Sequence, residues 1–102
     1  MAKTFQKGKQ IVSFSEFLNN ASKVKSFTSS TGKRYEVQRI ENDEMLFLRL
    51  DAKSKEEWRM NLKEVYRAYR ELDDFATKNF RAFVPITHSP ARGLLIHLGM
   101  LK

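Results

Sequence analysis

The chain has 102 residues, enough for one domain with one hydrophobic core. It contains no cysteine, which excludes disulfides and cysteine-based metal sites and fits a reducing, cytoplasmic compartment. A net charge of +7 without a long apolar stretch favours a polyanion as partner and argues against a membrane.

Positive charge is concentrated near the two ends. Residues 1–34 hold seven Lys and Arg against Glu16 alone, residues 35–74 are net acidic, and residues 75–102 hold four cations and no acid. If both ends fold onto one face, this distribution suits a polyanion such as nucleic acid. The alternative is a soluble basic protein whose charge serves no polyanion. The charged start, 1–10, is predicted to be a flexible basic arm before a single α+β domain over 11–102.

A first helix is predicted over 14–21. Ser13 and Glu16 have the spacing of a capping box, and Val12 and Phe17 that of a hydrophobic staple. One apolar face repeats at helical spacing through Phe14, Phe17, Leu18 and Ala21.

An antiparallel meander of three or four strands is predicted next. Residues 25–28 form a short candidate strand, and 29–32 (Ser-Ser-Thr-Gly) indicate a turn. Residues 33–41 alternate, which places Tyr35, Val37 and Arg39 on one face. After the turn at 42–43, residues 44–51 form a strand whose centre, 45–48, is apolar throughout and is predicted to be covered on both sides.

Residues 54–61 fit two interpretations. Ser54 and Glu57 have capping-box spacing, which favours one long helix from residue 55. The alternation of Trp58 and Met60 instead favours a strand over 57–61, with a helix start at Asn61 and a helix over 62–73. We favour the strand followed by the helix.

The segment 31–72 resembles a hairpin–strand–helix module of small bacterial proteins of poorly known function. Matching residues are Gly32, Lys33, Tyr35, Val37, Phe47, Leu48, Val65, Ala68 and Tyr69. The resemblance covers less than half of the chain and includes no catalytic signature. Some modules of this kind accompany restriction or other DNA-processing proteins, so the resemblance implies an association with DNA.

A last, short helix is predicted over 90–98, after a connecting segment that contains Phe75, Phe80 and Phe83. Ser89 is its predicted N-cap, Pro90 its first residue and Gly99 its stop signal. Gly93 lies inside this helix and costs about 1 kcal/mol relative to Ala, which predicts close packing against another backbone. The expected fold is therefore α+β: N-terminal helix, antiparallel meander, helix, short C-terminal helix.

Catalytic and metal chemistry find little support. His88 and His97 are separated by nine positions without an adjacent acid, so no zinc site and no cofactor is expected. The acids near the second hairpin (Asp43, Glu44 and Asp51, with Lys53) and at Asp73 and Asp74 are typical of solvated turns and helix ends, although a two-metal nuclease would also use carboxylates beside a lysine. No nucleotide loop or nucleophile elbow is present, and we expect no enzyme activity.

The candidate nucleic-acid-binding residues are Lys23, Lys25, Lys33 and Arg34, with Arg92 as a second site. The first four bracket the first strand and its turn, whose amides and hydroxyls could contact phosphate without reading sequence. Arg92 follows the amides at the start of the last helix. The leading hypothesis is non-enzymatic binding to the backbone of DNA or RNA.

Two other functions are open. A protein–protein interaction subunit of a mobile-element, phage or defence system, including a homodimer, would expose several of the large apolar side chains between residues 58 and 83. We expect those side chains to be buried instead. A double-stranded-RNA-binding domain has the same order of elements, but its glycine-rich, paired-lysine signature is missing before the last helix, so it is disfavoured.

Overall fold

The computed structural model describes residues 6–8, 11–29, 32–50 and 57–101. In chain order the elements are α1 (Phe14–Ala21), β1 (Ser26–Thr28), β2 (Arg34–Glu41), β3 (Glu44–Arg49), β4 (Glu57–Asn61), α2 (Leu62–Glu71), α3 (Thr77–Phe80) and α4 (His88–His97). The strands form one antiparallel sheet in the order β1-β2-β3-β4. The predicted α+β meander is confirmed, with four strands.

The helices contribute to a single core on one face of the sheet, the inner face. Register places Phe27 opposite Tyr35, and Phe47 opposite Trp58, on this face. Their core neighbours from the helices include Phe17, Val65, Tyr69, Leu94 and Leu95, all fully buried. Of the large side chains between residues 58 and 83, Met60, Tyr69, Phe75 and Phe80 are buried, and Trp58, Tyr66 and Phe83 are partly buried. The expected burial is confirmed for the first four of these side chains and is incomplete for the other three.

The outer face of the sheet is covered by charged side chains. Leu46 points to this face and is nevertheless fully buried. Its register neighbours are Arg39 on β2 and Arg59 on β4. Arg39 pairs with Glu41 at 2.7 Å and Arg59 with Glu44 at 3.6 Å. The apolar centre of β3 is thus covered on both sides, as predicted, but on the outer side the cover is a layer of ion-paired side chains.

A β-bulge in β2 corrects the predicted alternation. The register with β3 shifts between Val37 and Arg39, so the extra residue inverts the pattern beyond it. Ile40 therefore lies opposite Met45 and packs on the core, and Arg39 turns to the outer face. Strict alternation had placed Arg39 on the face of Tyr35 and exposed Ile40; that prediction was wrong because burying Ile40 favours the bulge.

Local signals determine the turn of the second hairpin and the start of α2. Asn42 and Asp43 both have positive φ, as a two-residue hairpin turn requires. The side chain of Asn61 accepts hydrogen bonds from the amides of Lys63 (3.0 Å) and Glu64 (3.2 Å), so α2 begins where the cap signal predicts. A continuous helix through 57–61 is excluded; Ser54 lies outside the described residues.

Two tyrosines of α2 hold the start of α1. The hydroxyl of Tyr66 donates to the carbonyl oxygen of Val12 at 2.7 Å, and the hydroxyl of Tyr69 accepts from the amide of Val12 at 3.1 Å. Ser13, the next residue, caps α1 by accepting from the amide of Glu16, as predicted. The entry of α1 is therefore anchored by residues more than fifty positions away in sequence.

The last helix begins earlier than predicted. Its N-cap is Thr87, without a side-chain cap, so Ser89 is not the cap and Pro90 is the third helical residue. Proline is tolerated there because the amides of the first turn have no partner within the helix. The predicted stop is confirmed: Gly99 has φ +77°, and the amides of Gly99 and Met100 donate to the carbonyls of Ile96 and Leu95.

Gly93 brings α4 against the edge of β1. A Cβ at this position would lie 2.8 Å from the Cα of Ser29 and 3.1 Å from the carbonyl oxygen of Thr28. Since Ser29 hydrogen-bonds with Lys33, the backbone of Thr28 points away from β2, towards the free edge of the sheet. The predicted close approach of Gly93 to a backbone is confirmed, and it covers this edge.

Part of the predicted N-terminal arm contacts the body. Lys7 forms an antiparallel bridge with Leu101, and its Nζ donates to the carbonyl of Arg70 at 2.9 Å. The same ammonium lies 5.9 Å from the ring centroids of Tyr69 and Phe75. Residues 1–5 and 9–10 lie outside the described part of the chain, so the arm's flexibility there stays a prediction.

Candidate nucleic-acid interface

The four leading candidate cations surround β1. Lys25 precedes the strand and lies opposite Val37, whose amide donates to its carbonyl at 2.8 Å. Lys33 lies opposite Ser29 at the other end of the strand. At about 3.3 Å per residue, the Lys25 and Lys33 backbones are about 13 Å apart along the strand. Arg34 lies opposite Thr28 on the outer face, and Lys23 lies in the turn after α1. We call Lys23, Lys25, Lys33 and Arg34 the β1 cations.

The β1 cations differ from four cations of the acidic middle segment in having no carboxylate partner among the described residues. In that segment Arg39, Arg59, Lys63 and Arg67 each form an ion pair. Within the described ranges, none of the β1 cations has an ion pair, and all four are exposed. Arg39 donates a hydrogen bond to Glu41 and Arg67 donates one to Glu71, and these bonds raise the pKa of each guanidinium.

The described amides of the first turn are already used within it. The amide of Gly32 donates to the carbonyl of Ser29 at 2.9 Å, and the amide of Lys33 donates to the hydroxyl of Ser29 at 3.1 Å. Ser29 itself is buried. The expectation that these turn amides and this hydroxyl contact phosphate is therefore wrong for Ser29, Gly32 and Lys33; positions 30–31 lie outside the described residues. The side chains of the β1 cations remain as the donors.

The structure supports the second candidate site, Arg92, less well than the sequence does. The guanidinium of Arg92 is partly buried and donates to the carbonyl of Phe75 at 3.3 Å, and burial lowers the pKa of Arg92. Pro90 supplies no amide, and the amide of Ala91 donates to the carbonyl of Thr87. The structure thus places Arg92 in a bond that joins α4 to the segment before α3.

Three charged residues were not singled out by sequence reasoning. Lys78 on α3 and Arg81 just after it are exposed and have no ion pair among the described residues. Helix α3 packs on α4, and α4 packs on β1. Glu36 lies opposite Ser26 on the outer face and is the acid nearest in register to Arg34. Helix packing identifies the first two of these residues, and the strand register identifies Glu36.

The acids that the structure describes at the second hairpin are engaged in ion pairs. Asp43 pairs with Lys63 and Glu44 with Arg59, so both carboxylates are engaged at the second hairpin. Asp51 and Lys53 lie outside the described residues. In the described ranges no three His, Cys, Asp or Glu side chains converge to hold a metal ion.

Comparisons with known proteins do not assign this chain to a family. None of the described helices is long and apolar enough to cross a membrane. Comparison with protein-family models, with curated proteins and with solved structures finds no match for this chain.

Proposed function

We propose that this protein is a non-enzymatic binding module that contacts the phosphate backbone of DNA or RNA through the β1 cations. The observation that carries the proposal is the contrast in pairing. Arg39 and Arg59 on the sheet, like Lys63 and Arg67 on α2, are paired with carboxylates. The β1 cations are all exposed, and no carboxylate among the described residues pairs with them. Clustered surface cations repel one another, and the negative charge of a polyanion relieves this repulsion. The polyanion also releases its own counterions on binding, which favours association further.

The arrangement of the β1 cations suits contact with the phosphate backbone of a nucleic acid and not recognition of its base sequence. Lysine ammonium groups are strongly hydrated point charges, which bind phosphate without directional readout. The outer face beside them is lined by Arg–Glu pairs, and no aromatic ring of the described strands is exposed there for base stacking. Binding should therefore depend on charge and on salt, with little preference for sequence.

The test is a salt titration of binding to duplex DNA, single-stranded DNA and RNA, with an acidic polypeptide as the control polymer. For about three to six phosphates, log K should fall linearly with log salt at a slope of about 0.9 per phosphate on duplex DNA. Binding to the acidic polypeptide with equal affinity would instead support a role for the charge in contacting a protein.

Charge reversal identifies the surface. Lys25→Glu with Lys33→Glu should weaken binding about tenfold or more, equally on different sequences, and should reduce the salt slope by about 2. The matched control, Lys63→Glu with Arg70→Glu on α2, makes the same change in net charge and should have a much smaller effect. Affinity in the micromolar range that ignores salt and both pairs of changes would overturn the proposal.

A further inference from the structure

The two edges of the sheet are treated differently. Helix α4 covers the edge of β1 through the close contact of Gly93 with Thr28 and Ser29. At the other edge, no described strand pairs with the second side of β4. An uncovered edge offers unpaired amides and carbonyls to another strand. Beside β4 lies a groove of about 460 Å³, lined by Glu57, Trp58, Arg59, Ile86 and Thr87.

The backbone direction in β4 follows from its last hydrogen bond. The amide of Leu62 donates to the carbonyl of Asp43 at 2.8 Å, so even-numbered residues of this strand point towards β3. The amides and carbonyls of Glu57 and Arg59 therefore point towards the open edge. An incoming antiparallel strand would bond to these two residues.

We propose that two copies of this chain associate through their β4 edges, in an antiparallel register centred on Trp58. In this register Glu57 of one copy lies opposite Arg59 of the other, on both sides of the two-fold axis. Each such pair exchanges its backbone hydrogen bonds, and the Trp58 side chains meet at the centre, where side chains approach most closely. A second copy is the occupant because this one strand presents both charges at the spacing that the two-fold axis requires.

Neighbouring registers are disfavoured by charge. A pairing centred on Arg59 would oppose Arg59 to itself, and one centred on Glu57 would oppose two carboxylates, which is destabilising across strands. Within one copy Glu57 pairs with Arg39 at 3.7 Å and Arg59 pairs with Glu44 at 3.6 Å, and both pairs are partly exposed. Exposed ion pairs contribute little to stability, so association would exchange these two pairs for the pairs between copies at a small cost.

Apolar surface continues the same edge. Trp58 is partly buried, and Ile86 across the groove is 75% exposed, the most exposed of the large hydrophobic side chains in the described residues. In the paired form each Trp58 would contact its symmetry mate above this groove. The association would thereby remove apolar area from water, in addition to the hydrogen bonds of the new strand pair.

The experiment is sedimentation equilibrium of the full chain at about 0.15 M salt, where surface repulsion is screened beyond about 8 Å. The wild type should reach twice the monomer mass of 12.0 kDa as concentration rises. Glu57→Arg and Arg59→Glu should each weaken association about tenfold or more, because both cross-strand pairs become like-charged. Glu36→Arg, on the same face but away from β4, is the control and should still dimerise.

Mixing the two single variants decides the register. Glu57→Arg opposes Arg59→Glu favourably at both pairs, so the mixture should form a heterodimer although each variant alone associates only weakly. The double variant Glu57→Arg/Arg59→Glu should dimerise by itself. A wild type that stays monomeric at millimolar concentration, a dimer that survives both single changes, or a mixture that fails to associate would each overturn the proposal. Nucleic-acid binding plays no part in these readings, so this inference stands or falls independently of the proposed function.

Discussion

Gly93 and Ser29 lie backbone against backbone, close enough that a methyl group on Gly93 would sit 2.8 Å from the Cα of Ser29. This contact joins the last helix to the first strand and covers one edge of the sheet. Neither partner can move aside as a flexible side chain could, because both sides of the contact are main chain. The position therefore requires glycine, although glycine has a poor helix propensity.

Gly93→Ala should therefore destabilise the protein. Alanine gains about 1 kcal/mol of helix propensity, but overpacking against a backbone costs typically about 1–3 kcal/mol, and we expect a net loss of up to about 2 kcal/mol. Urea unfolding measures the change. Gly8→Ala is the control, because a Cβ at Gly8 would lie 3.9 Å from the carbonyl oxygen of Gly99, an ordinary contact, and should be nearly neutral. A more stable Gly93→Ala protein would contradict the packing described.

The N-terminal ends of α2 and α4 predict different losses of stability for two alanine substitutions. Asn61→Ala removes a side chain that accepts from two amides and should cost about 1 kcal/mol. Ser89→Ala should cost little, because α4 begins at His88 and Thr87 occupies the cap position. Thermal or urea unfolding of both variants checks this, with Asn61→Asp as a variant that keeps the cap. Equal losses at both positions would restore Ser89 as a cap.

Removing the tyrosine hydroxyls should loosen α1. Tyr66→Phe deprives the carbonyl of Val12 of its 2.7 Å donor, and Tyr69→Phe deprives the amide of Val12 of its acceptor. Each change should cost about 1 kcal/mol, and the amides of α1 should exchange faster with solvent. Hydrogen exchange locates the effect: protection lost evenly across the sheet and α1 alike would mean that the hydroxyls do not anchor this helix.

Glu36 offers a test in the direction of tighter binding. It lies on the outer face two positions from Arg34, among the β1 cations. Glu36→Gln should raise the affinity for duplex DNA a few-fold at low salt, because it removes a like charge that repels phosphate. Fluorescence anisotropy measures this. Glu71→Gln on α2 is the control, and an identical gain from both variants would show that only net charge matters.

Several elements were predictable from the sequence because their determinants are local. Ser13 and Asn61 cap helices through amides two or three residues further on. Asn42 and Asp43 accept positive φ in a two-residue turn, and Gly99 does so at a helix end. In each case the donor, the acceptor and the backbone constraint lie within one turn of chain. Local chemistry therefore indicated the order of the four strands and of α1, α2 and α4, whereas α3 was not predicted.

Tertiary structure decided what depends on residues distant in sequence. The bulge at Val37 and Arg39 exists because Ile40 is needed on the core face opposite Met45, which alternation within β2 does not reveal. Helix α4 begins at His88, although Thr87 at the N-cap position makes no side-chain cap. The local sequence therefore does not indicate this start.

The same distinction holds for the candidate site. The sequence by itself determined that cations cluster on both sides of β1, because charge is a property of each residue. Only the register of the four strands decided which cations lie beside carboxylates, since Arg59 pairs with Glu44 across β3 and β4 and Lys33 meets no acid among the described residues. Ion pairing requires side chains within about 4 Å, and that distance is set by the folded sheet.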